Sequence, residues 1–163
     1  MNEKLPSIGH IYGLNTRKGI ALLQLADEPE TPTSLQLTRI CDGFLNANYT
    51  DDDVATIIQK KELFFLETPL RIIKPRSKLY RTYFAFDKPF TLPKTVVLPD
   101  FQRGFVVLND GNIKWYKKRR GSNTREFVTE MSPDFLTLSP DSSWSLPDIC
   151  DFLERNKKIY DYR

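Results

Sequence analysis

Gly9-His10-Ile11-Tyr12-Gly13-Leu14-Asn15, then Thr16-Arg17-Lys18, then Gly19-Ile20-Ala21-Leu22-Leu23-Gln24-Leu25: this stretch decides the fold class. Two mainly apolar runs, bounded by glycine and joined by a short polar turn, predict a β-hairpin over 9–15 and 19–25. β structure therefore opens the chain. Beyond it, an acidic, proline-marked loop (Asp27–Thr33) leads to a third strand, Ser34–Cys41. There Leu35, Leu37 and Arg39 alternate with Gln36, Thr38 and Ile40, and Asp42-Gly43 is read as its end.

The next segment is helical, about 50–61. Thr50 or Asp51 caps it, Asp51-Asp52-Asp53 suits the positive end of the helix dipole and Lys60-Lys61 the negative end. Val54, Ile57, Ile58 and Lys61 share one face at helical spacing. Glu62–Thr68 reads as a strand centred on Phe64-Phe65, Pro69–Pro75 is ambiguous, and Lys78–Asp87 reads as a strand. Pro89, Pro93 and Pro99 make Lys88–Phe101 mostly extended loop.

A second hairpin pairs Gly104–Leu108 with Asn112–Lys117 around Asn109-Asp110-Gly111, whose Asp-Gly pair supplies the positive φ a tight turn needs. Arg125–Met131 adds a further strand. A second main helix, about 146–157, is announced by Ser145 with Asp148, by Pro147 in the first turn, and by the apolar face of Ile149, Phe152 and Leu153. The chain is expected to be a single domain over 1–163. Its expected class is α+β: a small, strongly bent antiparallel sheet or partial β-barrel with two main helices.

The scarce residues exclude much chemistry. One histidine (His10) and two cysteines (Cys41, Cys150) fall short of the about four ligands of a common zinc site and of a multi-disulfide scaffold. There is no phosphate loop, no GxGxxG and no GxSxG. No cofactor or metal is called for, and no catalytic residue stands out. His10 at a strand opening has no partner at a telling spacing, and both cysteines lack the CxxC or basic context of a reactive thiol. Met1–Ser7 has no basic, then apolar, leader pattern, and no apolar run is longer than that of Leu63–Leu66. A cytoplasmic protein with reduced thiols and no membrane partner is the expectation.

Charge is segregated along the chain. The overall +3 divides into −3 over residues 1–60, +10 over 61–125 and −4 over 126–163. Either the acidic flanks fold back on the basic middle, or that middle meets an acidic partner or nucleic acid. The candidate contact residues are Tyr116, Lys117, Lys118, Arg119, Arg120 and Arg125 on the basic side, and Asp51, Asp52 and Asp53 on the acidic side. Aromatics next to cations stack on bases and meet phosphates, and Arg71, Lys74, Arg76, Lys78 and Arg81 extend the basic run. Period-2 alternation sets Ile113, Trp115 and Lys117 on one face and Lys114, Tyr116 and Lys118 on the other, with Trp115 read as core. The triple aspartate is explained by capping better than by a hard cation, because consecutive helical residues splay apart.

Gly9, Tyr12, Thr16, Lys18, Gly19, Ala21 and Gln24, with Arg39, Phe64-Phe65, Pro93 and Pro99-Asp100-Phe101-Gln102-Arg103, give residues 8–116 a resemblance to a bacterial group related to the immunity protein 26 family. The resemblance implies a small β-rich protein that binds and neutralises a contact-delivered or secreted toxin inside the cell. Some members of that group carry a phosphotriesterase name, which a chain with one histidine does not suit. The expected partner is thus a cognate toxin domain, with a nucleic-acid-binding module as the alternative and oligomeric state left open.

Overall fold

Both hairpins form. The computed structural model describes residues 7–27, 36–68, 83–87, 89–142 and 144–155. Strands β1 (Ile11–Thr16) and β2 (Gly19–Leu25) pair antiparallel across the two-residue turn Arg17-Lys18. Thr16 Oγ1 donates to the Gly19 carbonyl at 2.7 Å, and Gly19 takes φ +123°. Strands β3 (Gln36–Leu45), β4 (Glu62–Thr68) and β5 (Tyr83–Ala85) complete a five-stranded antiparallel sheet in the order β4-β3-β2-β1-β5.

β3 does not stop at Asp42-Gly43 as expected but continues to Leu45. Gly43, at φ +139°, accepts the irregular backbone there. The ladder slips register against β2 between Ala21 and Leu23, and against β4 between Ile40 and Cys41. The strand is therefore bulged, not broken.

Helices cover both faces of this sheet. On one side Tyr12, Leu14, Ala21, Leu23, Ile40, Phe64 and Leu66 pack with Trp144 and with Ile149, Phe152 and Leu153 of α3 (Leu146–Glu154). On the other, Ile11, Leu22, Cys41 and Leu45 pack with Val54, Ile57 and Ile58 of α1 (Asp51–Ile58). Burying each such side chain contributes about 1.5–3 kcal/mol. Coverage from both sides explains why β1 to β3 are buried almost continuously instead of alternating. Thr50 with Asp53, and Ser145 with Asp148, close reciprocal capping boxes at the two helix starts. α3 carries no basic residue in its last turn. The first hairpin supplies one: Lys18 Nζ donates to the Leu153 carbonyl at 2.8 Å, and the Arg17 amide donates to Glu154 Oε1 at 2.8 Å.

The remaining strands form a second sheet, β6 (Phe101–Val107), β7 (Ile113–Arg119), β8 (Arg125–Phe127) and β9 (Ser139–Pro140), in the order β8-β7-β6-β9. A four-residue helix, α2 (Pro133–Leu136), precedes β9, which runs parallel to β6. Phe65 N–H donates to Ser139 Oγ at 3.1 Å, tying β4 to β9. The class is α+β, as the pattern indicates. Among the described residues the strands divide between two sheets, neither closed into a barrel, where one bent sheet or partial barrel was expected. Of the expected elements, most of the 27–33 loop, the first residues of the 34–41 strand, 69–75, most of the 78–87 strand with Arg71, Lys74, Arg76, Lys78 and Arg81, and the end of the last helix lie outside the described residues.

Candidate partner-binding face

The second sheet is built on the Asp-Gly turn. Gly111 takes φ +81°, Asn112 N–H donates to Asp110 Oδ1 at 2.9 Å, and Leu108 N–H donates to the Asn112 carbonyl at 2.8 Å. These contacts set the register Val107↔Ile113, Phe105↔Trp115, Arg103↔Lys117 and Phe101↔Arg119, so all eight side chains share one face. Four of them, Phe101, Phe105, Val107 and Ile113, are exposed by 37–62%. Cations lie among them. The Arg103 guanidinium sits 5.6 Å from the Trp115 ring, Lys117 Nζ sits 4.6 Å from the Phe101 ring, and Phe105 and Trp115 meet at 5.3 Å. Phe135 of α2 meets Trp115 edge-on at 6.2 Å.

The opposite face is held by Asp141. Tyr116 Oη donates to Asp141 Oδ2 at 2.8 Å, Lys118 Nζ pairs with Oδ1, and the Arg125 guanidinium lies over the Tyr116 ring at 4.7 Å. Burial, then the Asp141 hydrogen bond and charge, raise the Tyr116 pKa above its ordinary value. The alternation of faces is as expected, but the depths are reversed. Tyr116 is buried, whereas Trp115, expected to be core, is only partly so. Tyr116 is buried because it lies across from Gly104, whose missing side chain leaves room for the ring. That glycine–aromatic cross-strand pair is the signal in the sequence that marks Tyr116 as buried.

Most of the basic candidates have counter-ions. Lys117 lies 3.8 Å from Glu126, Lys118 pairs with Asp141, and Arg120 pairs with Asp27 at 2.6 Å. Arg103 Nε donates to the Leu138 carbonyl at 3.1 Å. The acidic flanks thus fold back on the basic middle. Asp27, read from sequence only as part of an acidic loop, holds one end of it. Arg119 and Arg125 remain exposed. Asp51, Asp52 and Asp53 are not brought to this sheet: they open α1, which packs on β3, and Thr50 hydrogen bonds hold the Asp53 carboxyl below its usual range. Among the described residues no three His, Cys, Asp or Glu side chains group as metal ligands would. His10 leans on the Tyr12 ring at 5.2 Å, and burial lowers its pKa.

Arg103, Gly104, Phe105, Trp115 and Tyr116, with Pro140, Asp141 and Ser142 from the segment after β9, line a cavity of about 190 Å³. A cavity of about 150 Å³ accepts a benzene, while small-molecule sites run to roughly 300–1,000 Å³. This one suits a single apolar side chain. Among the described residues no helix is long and apolar enough to cross a membrane. No family model, no curated protein and no solved structure matches the chain.

Proposed function

We propose that this chain is a non-catalytic, cytoplasmic immunity protein that binds a cognate bacterial toxin domain through the open face of its second sheet. One observation carries the binding face: Phe101, Phe105, Val107 and Ile113 stand exposed together on one side of β6–β7, beside Trp115 and Arg103. Clustered aromatic side chains are usual anchors of protein interfaces; Arg103 is itself buried and supports the Trp115 ring. The toxin as partner rests on the sequence resemblance over residues 8–116.

The nucleic-acid reading is second. Glu126, Asp141 and Asp27 already neutralise Lys117, Lys118 and Arg120, and would compete with phosphates for them. Co-expression with the proposed cognate toxin domain tests the proposal. The wild type restores growth and Phe105→Asp does not, though it stays folded. Growth arrest that the wild type leaves unrelieved contradicts it.

A further inference from the structure

We infer that the cavity beside β6 is an anchor pocket for one tyrosine side chain of a protein partner. This rests on the binding face proposed above, though not on that partner being a toxin, and names what enters the face. Gly104, Phe105, Trp115 and Tyr116 form the wall that the hairpin supplies, and Asp141 and Ser142 belong to the wall that the chain after β9 supplies. β9 pairs with β6 only as far as Arg103↔Pro140, and Gly104, the next residue, brings no side chain to fill the space. The cavity is open on one side. Phe105 and Trp115 belong both to its wall and to the exposed aromatic face, so a partner covering that face reaches the cavity in the same step.

Size, walls and polar groups together name the occupant. About 190 Å³ exceeds the roughly 150 Å³ that holds benzene, which leaves room for one ring with a small tip. Three aromatic rings line the space, and a ring gains tilted or edge-on contacts there that an aliphatic side chain cannot make. The tip is set by two consecutive residues. The Asp141 carboxylate, 10% exposed, accepts from Tyr116 Oη at 2.8 Å and from Lys118, two of the about four hydrogen bonds a carboxylate can take. Ser142 Oγ accepts the Trp144 indole N–H at 2.9 Å, which leaves its own O–H to donate. An acceptor and a donor thus stand side by side. A phenol hydroxyl donates and accepts through one atom and matches both. A phenyl ring matches neither, and an imidazole parts its donor and acceptor between two nitrogens.

The test titrates the full wild-type chain with N-acetyl-tyrosine amide, N-acetyl-phenylalanine amide, N-acetyl-histidine amide and free p-cresol, followed by NMR. The tyrosine amide is expected to shift the Gly104 and Ser142 amides and the Trp115 indole N–H, and to bind about tenfold more tightly than the phenylalanine amide. Ser142→Ala is expected to narrow that preference. Equal binding of the tyrosine and phenylalanine amides by the wild type overturns the assignment, whether or not Ser142→Ala folds. So does tighter binding of the histidine amide, or a set of shifts that leaves Gly104 and Ser142 unmoved. Binding of p-cresol without the tyrosine amide marks a site for a small free phenol and overturns the partner's side chain as occupant. Growth rescue by a chain that binds none of the amides removes the tyrosine pocket and leaves the binding face standing; tyrosine binding without rescue supports the pocket and removes the toxin.

Discussion

Tyr116 donates its hydroxyl to Asp141 at 2.8 Å while the same carboxylate holds Lys118 and its own amide meets the Arg103 carbonyl. Asp141 thus ties the segment after β9 to β7 through its carboxylate and to β6 through its amide. Asp141→Ala leaves a buried hydroxyl and a partly buried ammonium unmatched. It is expected to cost about 1–3 kcal/mol in chemical denaturation. An unchanged midpoint would show that the contact is idle.

Gly104 is the reason the Tyr116 ring can lie where it does. A Cβ at 104 would overlap the hydroxyl and sit 2.5 Å from Cζ. Gly104→Ala is therefore expected to destabilise by about 1–3 kcal/mol, and by clearly less in a Tyr116→Leu background. Equal costs in both backgrounds would contradict the steric account.

Arg39 is buried in the first sheet, where Nη1 donates to Gln24 Oε1 at 3.0 Å, Nη2 meets the Lys60 carbonyl and Nε lies 3.4 Å from Glu62. Gln24 in turn donates to the Phe90 carbonyl at 3.0 Å. Arg39→Ala strands Glu62 and Gln24 and is expected to cost about 3–5 kcal/mol, read from urea unfolding. A loss under about 1 kcal/mol would mean that the network is easily replaced by water.

The two thiols separate by burial. Burial, opposed by Arg39 and aided by Glu62, pushes the Cys41 thiol from 9.0 to about 11. The unfolded chain releases this proton first, so stability contributed by the neutral thiol is complete below pH 9 and is lost as pH rises toward 11. Cys41→Ala is expected to remove that alkaline loss. In the native protein a thiol reagent is expected to label the half-buried Cys150 well before Cys41. Equal labelling rates would contradict this.

His10 gives the acid counterpart. Burial lowers its pKa from 6.5, so the folded chain takes up its proton after the unfolded chain does. Its stabilising contribution is complete above pH 6.5 and fades as pH falls below that value. His10→Gln is expected to flatten that limb of a stability–pH profile, and a profile that keeps its slope would count against it.

Local signals were the most legible. Asp110-Gly111, the cap at Thr50 or Asp51 and Ser145 with Asp148 act within a few residues; the structure settles the first cap on Thr50, with Asp53 closing the box. The residues behind the family resemblance also find structural roles. Gly9 packs against the Phe90 carbonyl, Lys18 caps α3, Gly19 turns the first hairpin, and Gln24 with Arg39 forms the buried network. The candidate site was less legible. Alternation separates Trp115 from Tyr116 but does not say which face is covered, and Arg120 meets Asp27 across 93 positions. Contacts of that separation leave no local pattern. The division into two sheets was hidden for the same reason: strand pairing joins segments far apart in the chain.

The most direct test of the account is hydrogen-exchange footprinting of the full chain with and without the proposed toxin domain. Binding is expected to protect Phe101–Val107 and Ile113–Arg119, strongest at Phe105 and Trp115, and to leave Asp51–Asp53 unchanged. Protection confined to Asp51–Asp53 and α1, with the second sheet exchanging as in the free protein, would contradict it.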